Sequence, residues 1–262
     1  MRQALYVFLL CGAGAVCAQN DVDEDGSTAA EQADFIKWGP ASKELGGQAS
    51  VQWLSQYFFR GLRFSHNDVL QQEIGVWYAG FKARGFFSYD CNPDEYSEAD
   101  FTGSYSYALN ESTAVEAGYT FYGYPHRMYG KDKKDRQGYD IKDTQEIFAG
   151  VMGVTDYLGA SVYGYYDFRD GTGALWEFAL GKSLDIDHFK PVTLKPYVRA
   201  SANLNCRYFN DATEFSHSIL TVGLPLHLTD HAVLSGSLNY QWGWQGWVED
   251  DWYAQVGVTL RF

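Results

Sequence analysis

Long apolar runs are missing from this sequence of 262 residues once its first 18 residues are set aside. A helical membrane protein needs about 18 or more consecutive apolar residues for each span. The mean hydropathy of −0.32 is also unlike that of such proteins. These absences exclude a helical membrane protein.

Positive charge is scarce as well. The chain has 20 Lys and Arg residues against 33 Asp and Glu residues, which gives a formal net charge of −13. A chain this acidic is a poor match for a phosphate backbone, so nucleic acid is not expected among its partners.

The N-terminus has the pattern of an export signal. A single cation at Arg2 precedes a short apolar core and small residues near Ala18. We predict a signal peptide over residues 1–18, followed by an acidic, flexible periplasmic lead over residues 19–47. Within the lead, 21–26 copies the first half of a calcium loop, but Gln32 stands where the closing glutamate belongs. Neither a metal site nor a cofactor is therefore expected.

Helix-period patterns vanish after Gly47, and alternating segments follow one another to the end. They cover 48–60, 69–78, 81–90, 101–109, 114–124, 144–154, 159–169, 174–184, 192–205, 215–228, 232–242 and 251–262. Each has about the 9 to 11 residues that a tilted strand needs to cross a bilayer. The pattern predicts twelve strands over residues 48–262.

The connectors between these segments alternate between short and long. Short ones, such as Ala79–Gly80, follow every even-numbered segment, and longer polar ones follow most of the odd-numbered segments. Outer-membrane barrels have short periplasmic turns and longer external loops. The sequence therefore predicts an all-β fold, a transmembrane antiparallel up-and-down β-barrel of about twelve strands with both termini in the periplasm.

The alternation within the segments predicts which face meets lipid. In 232–242, Leu234, Leu238 and Trp242 share one face, while Ser235 and Asn239 lie on the other. Too many polar and charged residues share the second face to fill a dry core, so we expect the apolar face to point outward.

Aromatic residues also cluster at the predicted strand ends, where amphipathic rings suit the two interfaces of a bilayer. They are Tyr57, Phe58, Phe59, Trp77, Tyr78, Phe81, Tyr122, Tyr124, Trp242 and Trp252.

Two stretches resemble known proteins. The final strand, with alternating apolar residues ending in Phe262, resembles the signal that the barrel-assembly machinery reads in bacterial outer-membrane proteins. The stretch 55–90 resembles the opening of the TorF family of porins. The matching positions are Tyr57, Phe59, Arg60, Gly61, Leu70, Gln71 and Gly80. The resemblance implies a bacterial outer-membrane porin with outer-membrane lipid and the barrel-assembly machinery as partners.

Inward-facing charges are the candidate pore residues. On the predicted phase they are Glu73, Lys82, Arg84, Glu116, Asp167, Arg169, Glu177, Lys195, Arg199 and Arg261. Charges in a lumen can select solutes, and they can equally form a salt-bridged network that fills a narrow barrel. Twelve strands lie between the filled eight-stranded and the open sixteen-stranded barrels, which leaves both interpretations open.

Two further groups lie near the predicted external mouth. Trp242, Trp244, Trp247 and Trp252 could form a platform for sugar rings or an interfacial girdle. Cys91 and Cys206 remain once Cys11 and Cys17 leave with the signal peptide, and they could pair in an oxidising compartment if their Cα atoms lie within about 7 Å.

An enzyme is not expected. The Ser–His candidates are Ser65–His66 and Ser216–His217, but adjacent residues on a strand point to opposite faces.

The sequence favours a porin for passive diffusion of small polar solutes. The alternatives are a filled barrel with a structural or surface-binding role, a lipid-modifying barrel enzyme and a soluble β-sandwich.

Overall fold

The computed structural model describes residues 45–262 except 93, 111, 126–141, 156–157, 170–172, 185 and 187–191. The predicted signal peptide and most of the predicted lead lie outside the described residues. Within the described ranges, no helix is long and apolar enough to cross a membrane.

Sixteen strands make up the described structure. They are β1 (Gly46–Leu54), β2 (Tyr57–Phe59), β3 (Leu62–Ser65), β4 (Val69–Tyr78), β5 (Phe81–Asp90), β6 (Glu95–Asn110), β7 (Thr113–Gly123), β8 (Thr144–Val154), β9 (Gly159–Asp167), β10 (Gly173–Ser183), β11 (Thr193–Leu194), β12 (Tyr197–Cys206), β13 (Thr213–Gly223), β14 (Leu226–Thr229), β15 (Ala232–Gly243) and β16 (Asp251–Arg261).

Twelve of these strands form a closed antiparallel barrel, which confirms the predicted fold class. Neighbouring barrel strands pair in chain order, and β16 closes the ring by pairing with both β15 and β1. The closing pair extends to the last residue, because Phe262 N donates to Gly47 O at 2.9 Å and Gly47 N donates to Phe262 O at 2.6 Å. Closure gives each of the twelve barrel strands two partners, so the barrel itself has no open sheet edge.

The four remaining strands are short. The strands β11 and β14 extend the sheet at one end of the barrel, where the short connections, the start of β1 and the end of β16 also lie. We call this end the turn end and the opposite one the loop end. The strands β2 and β3 pair only with each other, within the connection between β1 and β4.

The apolar faces of the barrel strands point outward, as predicted. Ile74 is 53% exposed and Val256 is 50% exposed, whereas Asn239 and Gln241 on the opposite faces are buried. The barrel therefore has an apolar exterior and a polar interior.

The prediction was wrong about the segment 48–60. It is not one strand, because β1 ends at Leu54 and the chain turns into the β2–β3 hairpin. Tyr57, Tyr122 and Tyr124, which were expected at the bilayer interface, are instead buried together in one apolar cluster. Of the other predicted interfacial rings, Tyr78, Phe81, Trp242 and Trp252 are exposed on the barrel exterior.

Candidate functional site

The β2–β3 hairpin is built around a two-residue turn. Arg60 and Gly61 connect the two strands, and both have positive φ, at 50° and 90°. Positive φ at both turn residues is the geometry of a type I′ turn, whose twist matches that of a hairpin. Glycine adopts this conformation at little cost, so Gly61 suits the sharpest point of the turn.

The stem of the hairpin packs inside the loop end of the barrel. Its buried side chains form a cluster with residues of the barrel wall, namely Leu54, Tyr57, Leu62, Phe64, Val69, Tyr122 and Tyr124. Polar contacts fix the stem at its edges. The Tyr57 hydroxyl donates to Glu98 Oε2 at 2.7 Å, and Ser65 Oγ donates to Asp90 Oδ2 at 2.6 Å. The hairpin stem therefore occupies part of the lumen at the loop end.

At the tip, Arg60 reaches Glu146 on β8. Its guanidinium makes a bidentate ion pair with this carboxylate. Arg60 Nη2 donates to Glu146 Oε1 at 2.7 Å, and Nη1 donates to Oε2. The Glu146 side chain is fully buried. The hydroxyls of Tyr122 and Tyr208 also donate to this carboxylate, at 3.0 and 2.8 Å. Each carboxylate oxygen of Glu146 therefore accepts one hydrogen bond from Arg60 and one from a tyrosine hydroxyl.

Aromatic rings surround the same guanidinium. The Arg60 Cζ atom lies 4.2 Å from the centroid of the Tyr165 ring, 5.1 Å from that of Tyr208 and 5.8 Å from that of Tyr122. Rings at these distances attract a cation through their negative faces. Burial lowers the pKa of Arg60 and the Glu146 carboxylate raises it, with a net pKa well above the ordinary value. The guanidinium therefore stays charged. We call Glu146, Tyr122, Tyr165 and Tyr208 the arginine cage.

The other side of the tip contacts β13 and β15. Gln241 Nε2 donates to Gly61 O at 3.0 Å, and the Gly61 Cα lies against the His217 imidazole. Ser216 falls in an irregularity of the β12–β13 ladder, because Asn203 pairs with His217 and the next pair skips Ser216. Ser216 and His217 are consequently both buried, with Oγ and Nδ1 2.9 Å apart. The expectation that these neighbours face opposite ways was wrong, because a bulge locally disrupts the alternation.

The middle of the lumen and its turn-end half hold paired charges. Arg84 lies 3.5 Å from Glu73, and Arg199 lies 2.8 Å from Glu177. These four side chains are 17–24% exposed, so they keep contact with water.

Glu116 forms a third, drier group on the lumen wall. Lys82 Nζ lies 3.6 Å from this carboxylate, which also accepts hydrogen bonds from Ser104 and Tyr163.

The remaining predicted pore residues are more scattered. Asp167 is buried and accepts hydrogen bonds from Thr144, whereas Arg169 is exposed just beyond the end of β9. Lys195 lies buried between β11 and β12 at the turn end, where its backbone N–H donates to Pro225 O. Arg261 is the last residue of β16.

The four tryptophans do not share one surface. Trp242 and Trp252 are exposed on the barrel exterior on either side of Tyr240, whose ring centroid is 4.5 Å from each of theirs. Trp244 is 61% exposed beyond the end of β15. Trp247 instead packs against the interior apolar cluster. The structure thus separates one interior ring from three exterior ones.

Cys91 and Cys206, which could have formed a disulfide, are free thiols in the structure. Cys91 is exposed and follows β5, and Cys206 is half-buried at the end of β12.

The first Ser–His candidate is split, since Ser65 bonds to Asp90 and the His66 Nδ1 atom lies 2.8 Å from Arg63 Nη1. Among the residues that the structure describes, no group of three or more His, Cys, Asp or Glu residues could hold a metal ion.

The residues of the arginine cage were not predicted as a site from the sequence, and Tyr122 was expected only as an interfacial ring. Arg60 was noted only as part of the family resemblance, and Glu146, Tyr165 and Tyr208 were not singled out. The signal that could have located the tip is the Arg60–Gly61 pair itself, which lies between the aromatic stretch 57–59 and a second short stretch, 62–64, with apolar residues at Leu62 and Phe64.

No family model and no curated protein matches this sequence. Among solved structures, the chain is similar to the KdgM porin, with a TM-score of 0.54 at 12% identity over 82% of this chain and 99% of that one. It is also similar to the KdgM porin in complex with disordered oligogalacturonate, with a TM-score of 0.52 at 12% identity over 83% and 99% of the two chains. At such identities the likeness establishes a porin-type fold, and the resemblance to the TorF family stays a prediction.

Proposed function

We propose that this barrel is a bacterial outer-membrane channel for the passive diffusion of small polar solutes. The apolar exterior supports the membrane location. A continuous belt of exposed Ile, Val, Leu and aromatic side chains would be an aggregation surface in water, but it suits the hydrocarbon core of a bilayer. On this proposal the turn end faces the periplasm, and the loop end faces the outside.

One observation carries the proposal of a channel. Charged side chains inside the apolar shell keep contact with water, as the pairs Glu73–Arg84 and Glu177–Arg199 show. A filled barrel would bury such groups or replace them, because removing charges from water is costly. A wet, charged lumen half suits the passage of polar solutes.

The mixed sign of these charges bears on the solute. One of the similar solved structures is a porin in complex with an oligogalacturonate, which is an acidic oligosaccharide. In the present lumen the water-accessible cations Arg84 and Arg199 each have an acidic partner, Glu73 and Glu177. We therefore extend the proposal to small polar solutes in general and not to that ligand.

The filled barrel remains the second candidate, because the β2–β3 hairpin occupies the loop-end half with buried side chains. Planar-bilayer recording separates the two. The refolded chain and a variant with 57–65 replaced by a Gly–Ser linker would be compared, after a heat-sensitive shift in gel mobility has shown that both are folded. We expect discrete conductance from the variant and smaller or rarer events from the native chain. Two folded proteins without conductance would overturn the channel and favour the filled barrel.

The reversal potential in a salt gradient tests the lumen charges. We expect Arg84→Gln to shift selectivity toward cations and Glu73→Gln to shift it toward anions, because each leaves the other charge in the wet half. Asp230→Asn is the matched control, since Asp230 is exposed in the turn before β15. Equal reversal potentials for all three variants would place the conducting path elsewhere.

A further inference from the structure

The arginine cage has the composition of a cation-binding site. One fully buried carboxylate is flanked by three tyrosine rings, and two of those tyrosines donate their hydroxyls to it. Buried carboxylates are retained in proteins when a cation or several donors satisfy them. Here the cation is Arg60, which arrives on a hairpin that has no backbone pairing with the barrel wall.

The geometry is specific for a guanidinium. Glu146 accepts two N–H donors from one planar group, and such a fork matches guanidinium and not a rotating ammonium. The Tyr165 ring, whose centroid is 4.2 Å from Arg60 Cζ, provides a face for stacking. A planar cation that enters this site from solution would find the same contacts that Arg60 makes.

We propose that the arginine cage is a binding site for guanidinium-bearing solutes, in which Arg60 lies as an intramolecular stand-in. The site rests on the proposed function in one respect, since it names a solute class for that channel. When a solute guanidinium takes the place of Arg60, Glu146 keeps a counter-cation and the hairpin tip loses its strongest contact. Displacement of the hairpin therefore requires a ligand whose positive charge replaces that of Arg60 beside Glu146.

Coupling between ligand and hairpin follows from this exchange. A ligand shifts an equilibrium only by the difference in its affinity for the two states. With the tip seated, the cage is full and the solute cannot bind. With the tip released, the cage is vacant and the solute binds, so solute favours the released hairpin.

Calorimetry on the purified full chain in detergent micelles tests the site without any need for conductance. The probe is methylguanidinium, titrated at millimolar concentrations into Arg60→Ala, with methylammonium at equal ionic strength as the comparison. Arg63→Ala is the matched control. This residue lies on the same hairpin, but its partners Glu249 and Asp251 lie outside the cage.

We expect saturable binding of one methylguanidinium to Arg60→Ala. Binding should be at least tenfold weaker for methylammonium and for Arg63→Ala, and it should be lost in Arg60→Ala/Glu146→Gln. Indistinguishable heats for the two arginine variants, or binding that survives the Glu146 change, would overturn the proposal. If Arg60→Ala does not fold alone, refolding in methylguanidinium but not in methylammonium supports the site, and refolding in neither overturns it.

These outcomes are separable from those of the proposed channel. Binding without conductance in any variant would leave the cage standing and remove the channel. Conductance without methylguanidinium binding would leave the channel standing and remove the guanidinium site.

Discussion

Ile74→Arg tests the proposed membrane location at a single position. Ile74 lies in the middle of β4, is 53% exposed, and pairs with Ala49 and Gly85 in the neighbouring strands. If this face meets hydrocarbon, an arginine near the bilayer midplane should lower the free energy of unfolding by about 2–4 kcal/mol. If the face met water, the same change at an exposed site would stay within about 0.5 kcal/mol.

The adjacent residue provides the control. Glu73 lies at nearly the same depth on the opposite face, where it is 3.5 Å from Arg84 and about one fifth exposed. Glu73→Gln keeps an oxygen that can accept from Gln48 and should cost at most about 1 kcal/mol, which is typical of a solvated ion pair.

The assay is equilibrium unfolding in denaturant from phospholipid vesicles, followed by tryptophan fluorescence and by gel mobility without heating. The two variants should differ by at least about 1 kcal/mol, with Ile74→Arg the less stable. An Ile74→Arg protein as stable as the native chain would refute the assignment of the apolar face to lipid.

Three further outcomes follow from the hairpin and the loops. Arg60→Ala should lower the free energy of unfolding by about 3–5 kcal/mol, because it leaves the buried Glu146 carboxylate without its cation. In the same unfolding assay Arg63→Ala should lower it by at most about 1 kcal/mol, because the carboxylate partners of Arg63 are more exposed. Gly61→Ala should destabilise by about 1 kcal/mol or more, measured in the same way, since its φ of 90° is strained for any residue with a Cβ and the added methyl would meet the His217 ring. Cys91 is exposed at the loop end, so a membrane-impermeant maleimide should label it in intact cells, and labelling only after lysis would contradict the proposed topology.

The sequence was sufficient to predict the barrel because alternation and turn length are local properties. Strands such as β4 and β5 match their predicted bounds, 69–78 and 81–90, and each carries a clear two-residue period. The outward placement of Val256 and Ile74 follows from the same period. Polar faces identified Glu73 and Arg84 as lumen residues for the same reason.

The interior hairpin could not be recognised in this way. The segment 48–60 alternates except at Leu54, Ser55 and Phe58, and this short break is the only trace in the pattern of the change from barrel strand to hairpin. What distinguishes Tyr57 from Trp53 is the long-range contact with Glu98, and such contacts are set by the closed barrel. The arginine cage was missed on the same grounds, since its members come from β7, β8, β9 and the loop after β12.

The position of the hairpin in the chain constrains the order of assembly. It leaves the barrel from β1, near the start of the described chain, yet its tip is held by Glu146 on β8, His217 on β13 and Gln241 on β15. Those anchors come together only when the last strands have joined the first. The hairpin tip therefore has its full set of contacts only when β8, β13 and β15 stand around it in the closed ring.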